Sequence, residues 1–108
     1  MDVVVDRFAV FLVPLDPAKG SEMAKTRSCV VVSPDAINHL VRTVIVAPLT
    51  STIRRFPYRV SCKFAGRQGQ IALDHLRAID KSRLVKRLGN LDAATGSRVA
   101  STLVEMFR

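Results

Sequence analysis

Short runs of β-branched and aromatic residues, separated by Pro, Gly and charged turns, recur along most of the chain. Residues 8–13 predict a first strand that stops at Pro14, and residues 30–32 predict a second strand. Ser33-Pro34 then favours a short helix that reaches Asn38, because Pro suits the first position of a helix. Residues 43–49 predict a third, buried strand.

The second half of the chain begins with a hairpin pattern. Residues 58–64 alternate polar and apolar positions, and residues 70–73 return as the partner strand after a turn bracketed by Gly66 and Gly69. Residues 82–88 predict another strand. Asp92 then caps a terminal helix with an apolar stripe formed by Ala93, Val99, Leu103, Met106 and Phe107.

Many short strands followed by one helix predict a mainly β fold, a small antiparallel barrel with helical additions. The chain has 108 residues and shows no linker or internal repeat, so residues 1–108 are expected to form a single domain.

Composition restricts the class of binding partner more than it restricts the fold. The apolar fraction of 48% excludes a disordered chain, and the net charge of +8 favours a polyanionic partner because Lys and Arg displace counterions from phosphates. Charge alone does not distinguish RNA from DNA. The two cysteines, Cys29 and Cys62, lie in apolar strands without metal-binding spacing, which indicates reduced thiols. Residues 8–15 are too short for a signal or membrane segment, so a cytoplasmic protein is expected.

The segment from Asp16 to Arg27, DPAKGSEMAKTR, is the strongest candidate for chemistry. It places turn formers, one glutamate and three cations between two predicted strands. Such a loop is suited to hold a phosphate beside a rigid sheet.

Three blocks in this order resemble the MazF/PemK family of toxin endoribonucleases: LDPAKGSEMAKTR before VVVS, VIVAPLTS at residues 44–51, and LDHLRAIDKSRLVKRLG at residues 73–89. The resemblance spans nearly the whole chain. It implies a small SH3-like antiparallel barrel of the CcdB/MazF type with a C-terminal helix, acting as a homodimer without a membrane. It also implies sequence-specific cleavage of single-stranded mRNA without a metal or other cofactor, leaving 2′,3′-cyclic phosphate and 5′-hydroxyl ends. The implied partner is a MazE-like antitoxin with an acidic C-terminal tail.

The same resemblance suggests the catalytic residues. The family's key arginine and threonine match Arg27 and Thr50, and a supporting carboxylate matches Glu22. Asp74 falls where one branch has an aspartate proposed to act in catalysis, but that branch has a histidine at Ser21 and an arginine at Ala72. The expected RNA contacts are Ser21, Lys25, Ser51, Arg54, Arg55, His75 and Arg77.

RNA cleavage by the neighbouring 2′-hydroxyl requires a proton acceptor, a way to stabilise the departing 5′-oxygen, and positive charge for the phosphate. Arg27 fits the last task because a guanidinium is planar and permanently charged. Glu22, Asp74 or a bound water remains open as the base. The residues alone, without the resemblance, favour simpler interpretations. Glu22 and Arg27 would form a surface ion pair, and the Thr50 hydroxyl would satisfy a backbone group at the end of its strand.

Other polar residues allow two interpretations. Arg54 and Arg55, followed by Phe56 and Tyr58, are typical of an RNA-contact loop, with cations for phosphates and rings for stacking. The alternative is a solvated turn whose rings pack into the core. His39 and His75 lack the spacing of a catalytic pair, and His75 is expected to contact a nucleotide or the dimer groove.

The chain also departs from the family. Phe8 replaces a typical glycine, and Ala9 a typical acidic residue, so the edge of the first strand is expected to pack differently. Ser28 replaces a proline that would hold Arg27 extended, so Arg27 is expected to be less preorganised and the activity weaker. The alternative function is therefore a weak or inactive relative that acts by binding, either as a CcdB-like topoisomerase inhibitor or only to an antitoxin. A third hypothesis is a general RNA-binding module.

Overall fold

The computed structural model describes residues 4–14 and 26–108. These residues form strands β1 to β7, two α-helices, α1 and α2, and two short 3-10 helices at Leu73–His75 and Lys81–Arg83. The strands are β1 Ala9–Pro14, β2 Thr26–Val31, β3 Thr43–Thr50, β4 Arg59–Phe64, β5 Arg67–Ala72, β6 Arg77–Asp80 and β7 Lys86–Asn90, and the helices are α1 Asp35–Asn38 and α2 Ala93–Met106.

The strands form one antiparallel sheet in the order β4-β5-β3-β2-β1-β7, with β6 also paired to β3. The start of β3 pairs with β6, its middle with β2, and Leu49 and Thr50 at its end pair with β5. The sheet curls so that the Phe64 ring at the end of β4 reaches Gly89 in β7, where a Cβ atom would lie 3.4 Å from the ring. The predicted mainly β fold, a small antiparallel barrel with a C-terminal helix, is confirmed, and the sheet has the form of a curled half-barrel.

Two apolar clusters occupy the two faces of this sheet. Successive side chains of a strand alternate between faces, so Cys29 and Val31 join one cluster while Val30 joins the other. The second cluster is covered by α2, through Val99 and Leu103. This packing fixes β2 and β3, the strands that carry Arg27 and Thr50.

Helix α2 begins as predicted and its apolar stripe is narrower than predicted. The Asp92 carboxylate accepts hydrogen bonds from the backbone N–H and the hydroxyl of Thr95. Val99 is buried, and Leu103 and Met106 pack against the core. The prediction that Ala93 and Phe107 belong to this stripe is wrong: Ala93 is exposed in the first turn, and Phe107 is 71% exposed where the helix ends. None of the helices in the described part of the chain is long and apolar enough to cross a membrane.

The predicted strand over residues 82–88 is correct only from Lys86 onward, because the chain turns in the first half of that range. The Asp80 carboxylate accepts the backbone N–H of Ser82 and begins a 3-10 helix at residues 81–83, so β7 begins only at Lys86. Strand β6 was missed by sequence analysis. Strand β2 begins at Thr26, earlier than the pattern indicated, and therefore contains Arg27.

The edge of β1 packs around Phe8, the residue that replaces the family's typical glycine. Phe8 has a φ angle of +71°, in the left-handed region that favours glycine. Its ring lies between the Arg7 guanidinium, 4.9 Å from the ring centroid, and Gly96 of α2, where a Cβ atom would lie 2.8 Å from the ring carbon Cδ2. The absence of a side chain at Gly96 therefore provides the space that the Phe8 ring occupies.

Candidate active site

A pocket of about 310 Å³ lies where β2 begins and β3 ends. Its lining includes Arg27, Thr50, Arg54 and His75, four of the residues predicted from the sequence. The other lining residues are Pro48, Thr52, Phe56, Arg59 and Ala72.

Arg27 is held by the ladder between β1 and β2. It pairs with Val13 inside β2, so its backbone is extended without the family's proline at the next position. The lower preorganisation of Arg27, and the weaker activity expected from it, stay predictions. Burial raises the pKa of the neighbouring Cys29 thiol to about 11, although the charges of Arg27 and Arg77 oppose this rise. That thiol is protonated at neutral pH and is not a nucleophile there.

Thr50 presents its hydroxyl at the end of β3. Its Oγ1 atom accepts the backbone N–H of Thr52 at 3.1 Å, the local contact expected of a strand-end hydroxyl. This contact uses an acceptor lone pair and leaves the hydroxyl proton able to donate to a ligand oxygen. The backbone role and a role toward a phosphate are therefore compatible.

Asp74 is engaged by Arg59 and does not itself line the pocket. The Arg59 guanidinium donates from Nε to Oδ1 at 2.6 Å and from Nη2 to Oδ2 at 3.2 Å. The hydrogen bonds from Arg59 hold the pKa of Asp74 below its usual value. Nε2 of His75 lies 3.4 Å from the same carboxylate, while its side chain is 64% exposed at the rim. Asp74 is therefore an ionised anchor for Arg59 and a weaker base than an ordinary aspartate.

The segment between β3 and β4 is fastened to the sheet by Gln70. The Gln70 amide accepts the backbone N–H of Arg54 at 3.1 Å and donates to the Arg54 carbonyl at 3.0 Å. Phe56 and Tyr58 in this segment are 51% and 42% exposed. The alternative that these rings pack into the core is wrong.

Arg59 and Gln70 were not among the predicted site residues. The alternation of β4 did place Arg59 on a cationic face, but its side chain is only 7% exposed in the structure. Arg59 also donates from Nη1 to Oε1 of Gln70 at 3.3 Å. No local sequence signal indicates this burial, because it depends on the pairing of β4 with β5.

The remaining predicted residues lie elsewhere. Ser51 lines a neighbouring pocket of about 460 Å³, which Thr50 also borders. Arg55 is exposed beside Arg54, and Arg77 lies in β6 opposite Val46. Ser21, Glu22 and Lys25 lie outside the described residues.

Within residues 4–14 and 26–108, one group of side chains could bring metal-ligating atoms together. The ligand atoms of Asp6, Asp35 and His39 lie within 4.8 Å of one another, and all three residues are exposed. Nε2 of His39 is 3.4 Å from Asp6, and Asp35 accepts the backbone N–H of Arg7. This group lies near α1, at the opposite end of β2 and β3 from the pocket.

Comparison with known proteins shows what the chain resembles. It is 31% identical over 107 residues to the endoribonuclease EndoA of Bacillus subtilis, covering 94% of this chain and 92% of that protein. It is 37% identical over 90 residues to the endoribonuclease PemK of Escherichia coli, covering 78% of this chain and 68% of that protein. A crystal structure of MazE-MazF from Deinococcus radiodurans superposes with a TM-score of 0.82 at 27% identity, covering 98% of this chain and 97% of that chain.

The match to a protein family covers almost the whole chain. Residues 6–107 match the family described as PemK-like, MazF-like toxin of type II toxin-antitoxin system. This range contains both Arg27 and Thr50. The chain therefore belongs to the PemK/MazF family of toxins of type II toxin-antitoxin systems.

Proposed function

We propose that this toxin is a sequence-specific endoribonuclease that cleaves single-stranded mRNA without a metal ion, leaving 2′,3′-cyclic phosphate and 5′-hydroxyl ends. The observation that carries the proposal is the position of Arg27 and Thr50 in one open pocket with two further arginines. The names of the relatives EndoA and PemK, both endoribonucleases, support the reaction class. An mRNA substrate places this activity in the cytoplasm.

Arg27 stabilises the charge that grows during the reaction. The 2′-oxygen attacks phosphorus and the bond from phosphorus to the 5′-oxygen breaks, so negative charge accumulates on the phosphoryl oxygens in between. A guanidinium can donate to two of these oxygens at once, and the extended backbone of Arg27 limits the reorganisation needed. Thr50 donates its hydroxyl proton to one of the same oxygens.

The proton of the 2′-hydroxyl needs an acceptor, and Asp74 suits this role least. Both of its oxygens are engaged by Arg59, and the lowered pKa reduces its basicity. We assign the proton to Glu22 or to a bound water. The 5′-oxygen takes up a proton from solvent water as it leaves. His75, exposed at the rim, contacts a nucleotide.

The pocket and the segment beside it also suit the sugar-phosphate backbone of a longer RNA. Arg54 lines it directly and Arg55 follows on an exposed part of the same segment. Cations placed along a strand contact phosphates without reading bases. Ser21, Lys25, Ser51 and Arg77 are proposed as additional RNA contacts.

The partner is an antitoxin whose acidic C-terminal tail covers the pocket. The solved MazE-MazF complexes of Deinococcus radiodurans are complexes of this kind of toxin with its antitoxin. A net charge of +8 favours an acidic, disordered tail that folds on binding. The active unit is proposed to be a homodimer.

One observation favours a weaker or inactive relative as the second candidate. Ala72 lines the pocket where one branch of the family has an arginine, so that cation is missing from the wall. A protein of this kind binds RNA or an antitoxin and leaves RNA intact.

Single substitutions separate these candidates. Arg27→Ala should reduce the cleavage rate at least about 100-fold, as expected for loss of a group that stabilises the transition state. Thr50→Val should reduce it roughly 10- to 100-fold through loss of one hydrogen bond to a charged group. The matched control is Arg42→Ala, because Arg42 is an exposed arginine at the far end of β3, about 25 Å from Thr50 along the strand. Equal cleavage by the parent and Arg27→Ala would refute the proposal.

A further inference from the structure

Arg59 is a charged side chain in the wall of the pocket, yet it is almost fully withdrawn from solvent. Its exposed fraction is 7%, while Asp74 retains 31%. Withdrawing a guanidinium from water is unfavourable unless partners satisfy its donors. Arg59 therefore depends on the residues around it.

Two residues of the adjoining segment hold this guanidinium in one orientation. Asp74 receives two of its donors in a bidentate pair, and Gln70 receives a third at 3.3 Å. A planar group fixed at three donors has little freedom to rotate. Because Gln70 also holds the Arg54 backbone, one network fixes both the guanidinium and the segment that carries Phe56.

The guanidinium of Arg59 lies over the Phe56 ring. The central carbon of Arg59 is 5.1 Å from the centroid of the Phe56 ring, within the range of a cation-π contact. The ring is nevertheless 51% exposed and lines the pocket. One face of the ring is therefore supported by Arg59 while the exposed part remains able to receive a ligand.

We propose that Phe56 is a stacking platform for a nucleobase next to the cleaved phosphate, and that Arg59 is the positioning residue that holds this platform in place. This inference rests on the proposed function, because it takes single-stranded RNA as the ligand of the pocket. Bases stack on aromatic rings with little sequence preference, so Phe56 supplies affinity and orientation. Arg59 affects RNA binding only through its contact with the Phe56 ring.

A double-mutant cycle tests the coupling between these two residues. The variants are Phe56→Leu, Arg59→Met and the double variant, and the readout is the Kd for a short RNA that carries 2′-deoxyribose at a mapped cleavage position and cannot be cut. Phe56→Leu should weaken binding roughly 5- to 100-fold, the range for loss of one stacked base. Arg59→Met should produce much of the same loss. The Kd of the double variant should be at most about twofold higher than the Kd of Phe56→Leu.

Controls separate positioning from general damage to the fold. Phe107→Leu removes an exposed ring at the end of α2 that does not line the pocket, and it should change Kd less than threefold. Thermal unfolding of each variant checks that it folds. Phe56→Tyr keeps the ring and should bind RNA with the parental Kd. The role of the ring therefore remains testable even if Arg59→Met is unstable.

The outcomes are distinct from those of the proposed function. If the parent cuts no RNA, a random-sequence single-stranded RNA replaces the deoxy-substituted probe, and a loss of affinity in Phe56→Leu would still support the platform. Unchanged affinity in Phe56→Leu would overturn it. Losses from Phe56→Leu and Arg59→Met that multiply in the double variant would overturn the positioning role of Arg59.

Discussion

Gly96→Ala tests the contact between α2 and the edge of β1. The added Cβ atom would lie 2.8 Å from Cδ2 and 3.0 Å from Cε2 of the Phe8 ring, where carbon atoms normally rest about 3.5–4.0 Å apart. The ring has little room to retreat, because the Arg7 guanidinium lies over it at 4.9 Å and Leu91 donates its backbone N–H to the Phe8 carbonyl. The substitution therefore overfills a packed contact.

Two opposing effects determine the size of the change. Overpacking costs about 1–3 kcal/mol, while replacing glycine by alanine inside a helix contributes about 1 kcal/mol in favour of folding. Gly96→Ala should therefore lower the free energy of unfolding by up to about 2 kcal/mol. In a Phe8→Gly background the clash is absent, and the same substitution should raise the free energy of unfolding by up to about 1 kcal/mol.

The assay is urea unfolding of the parent, the two single variants and the double variant, followed by circular dichroism. All four are measured at one protein concentration, because assembly would make stability concentration-dependent. The predicted result is a reversal of sign between the two backgrounds. A Gly96→Ala effect of the same sign and size in both would refute the packing argument.

Three further predictions concern single groups. Asp92→Ala should lower the free energy of unfolding by removing the cap on Thr95, and Asp92→Asn should lower it less; equal losses in urea unfolding would contradict this. Cys29, with its raised pKa and burial, should resist iodoacetamide at pH 8 in the native state and react after unfolding, as measured by mass spectrometry; equal labelling rates in the two states would count against it. Because folding lowers the pKa of Asp74, its pair with Arg59 contributes stability that is full above about pH 4 and lost as pH falls further. Asp74→Asn should therefore lower the free energy of unfolding by about 1–3 kcal/mol at pH 7 and by less at pH 3; a difference independent of pH would contradict the argument.

Local patterns predicted the elements whose cause is local. The alternation of residues 58–64 indicated the hairpin, and Asp92 indicated the start of α2, because each signal acts over a few residues. Strand β6 was missed because its four residues are defined by pairing with the distant start of β3. The turn at Asp80 was missed because its cap interrupts a run that reads as continuous strand.

The site divides in a similar way. The resemblance indicated Arg27 and Thr50, but only the register that pairs Cys29 with Pro48 shows that they share a pocket. Asp74 was a reasonable candidate for a base until its pairing with Arg59 was visible. Burial of a charge follows from the packing of several strands and has no local signature.

The most direct test of the central claim is the cleavage of a long single-stranded RNA in excess chelator, with chemical identification of the new ends. We expect discrete cuts with 2′,3′-cyclic phosphate and 5′-hydroxyl ends, at a rate that chelator does not change. Cleavage that requires a divalent metal, or that leaves 5′-phosphate ends, would contradict it.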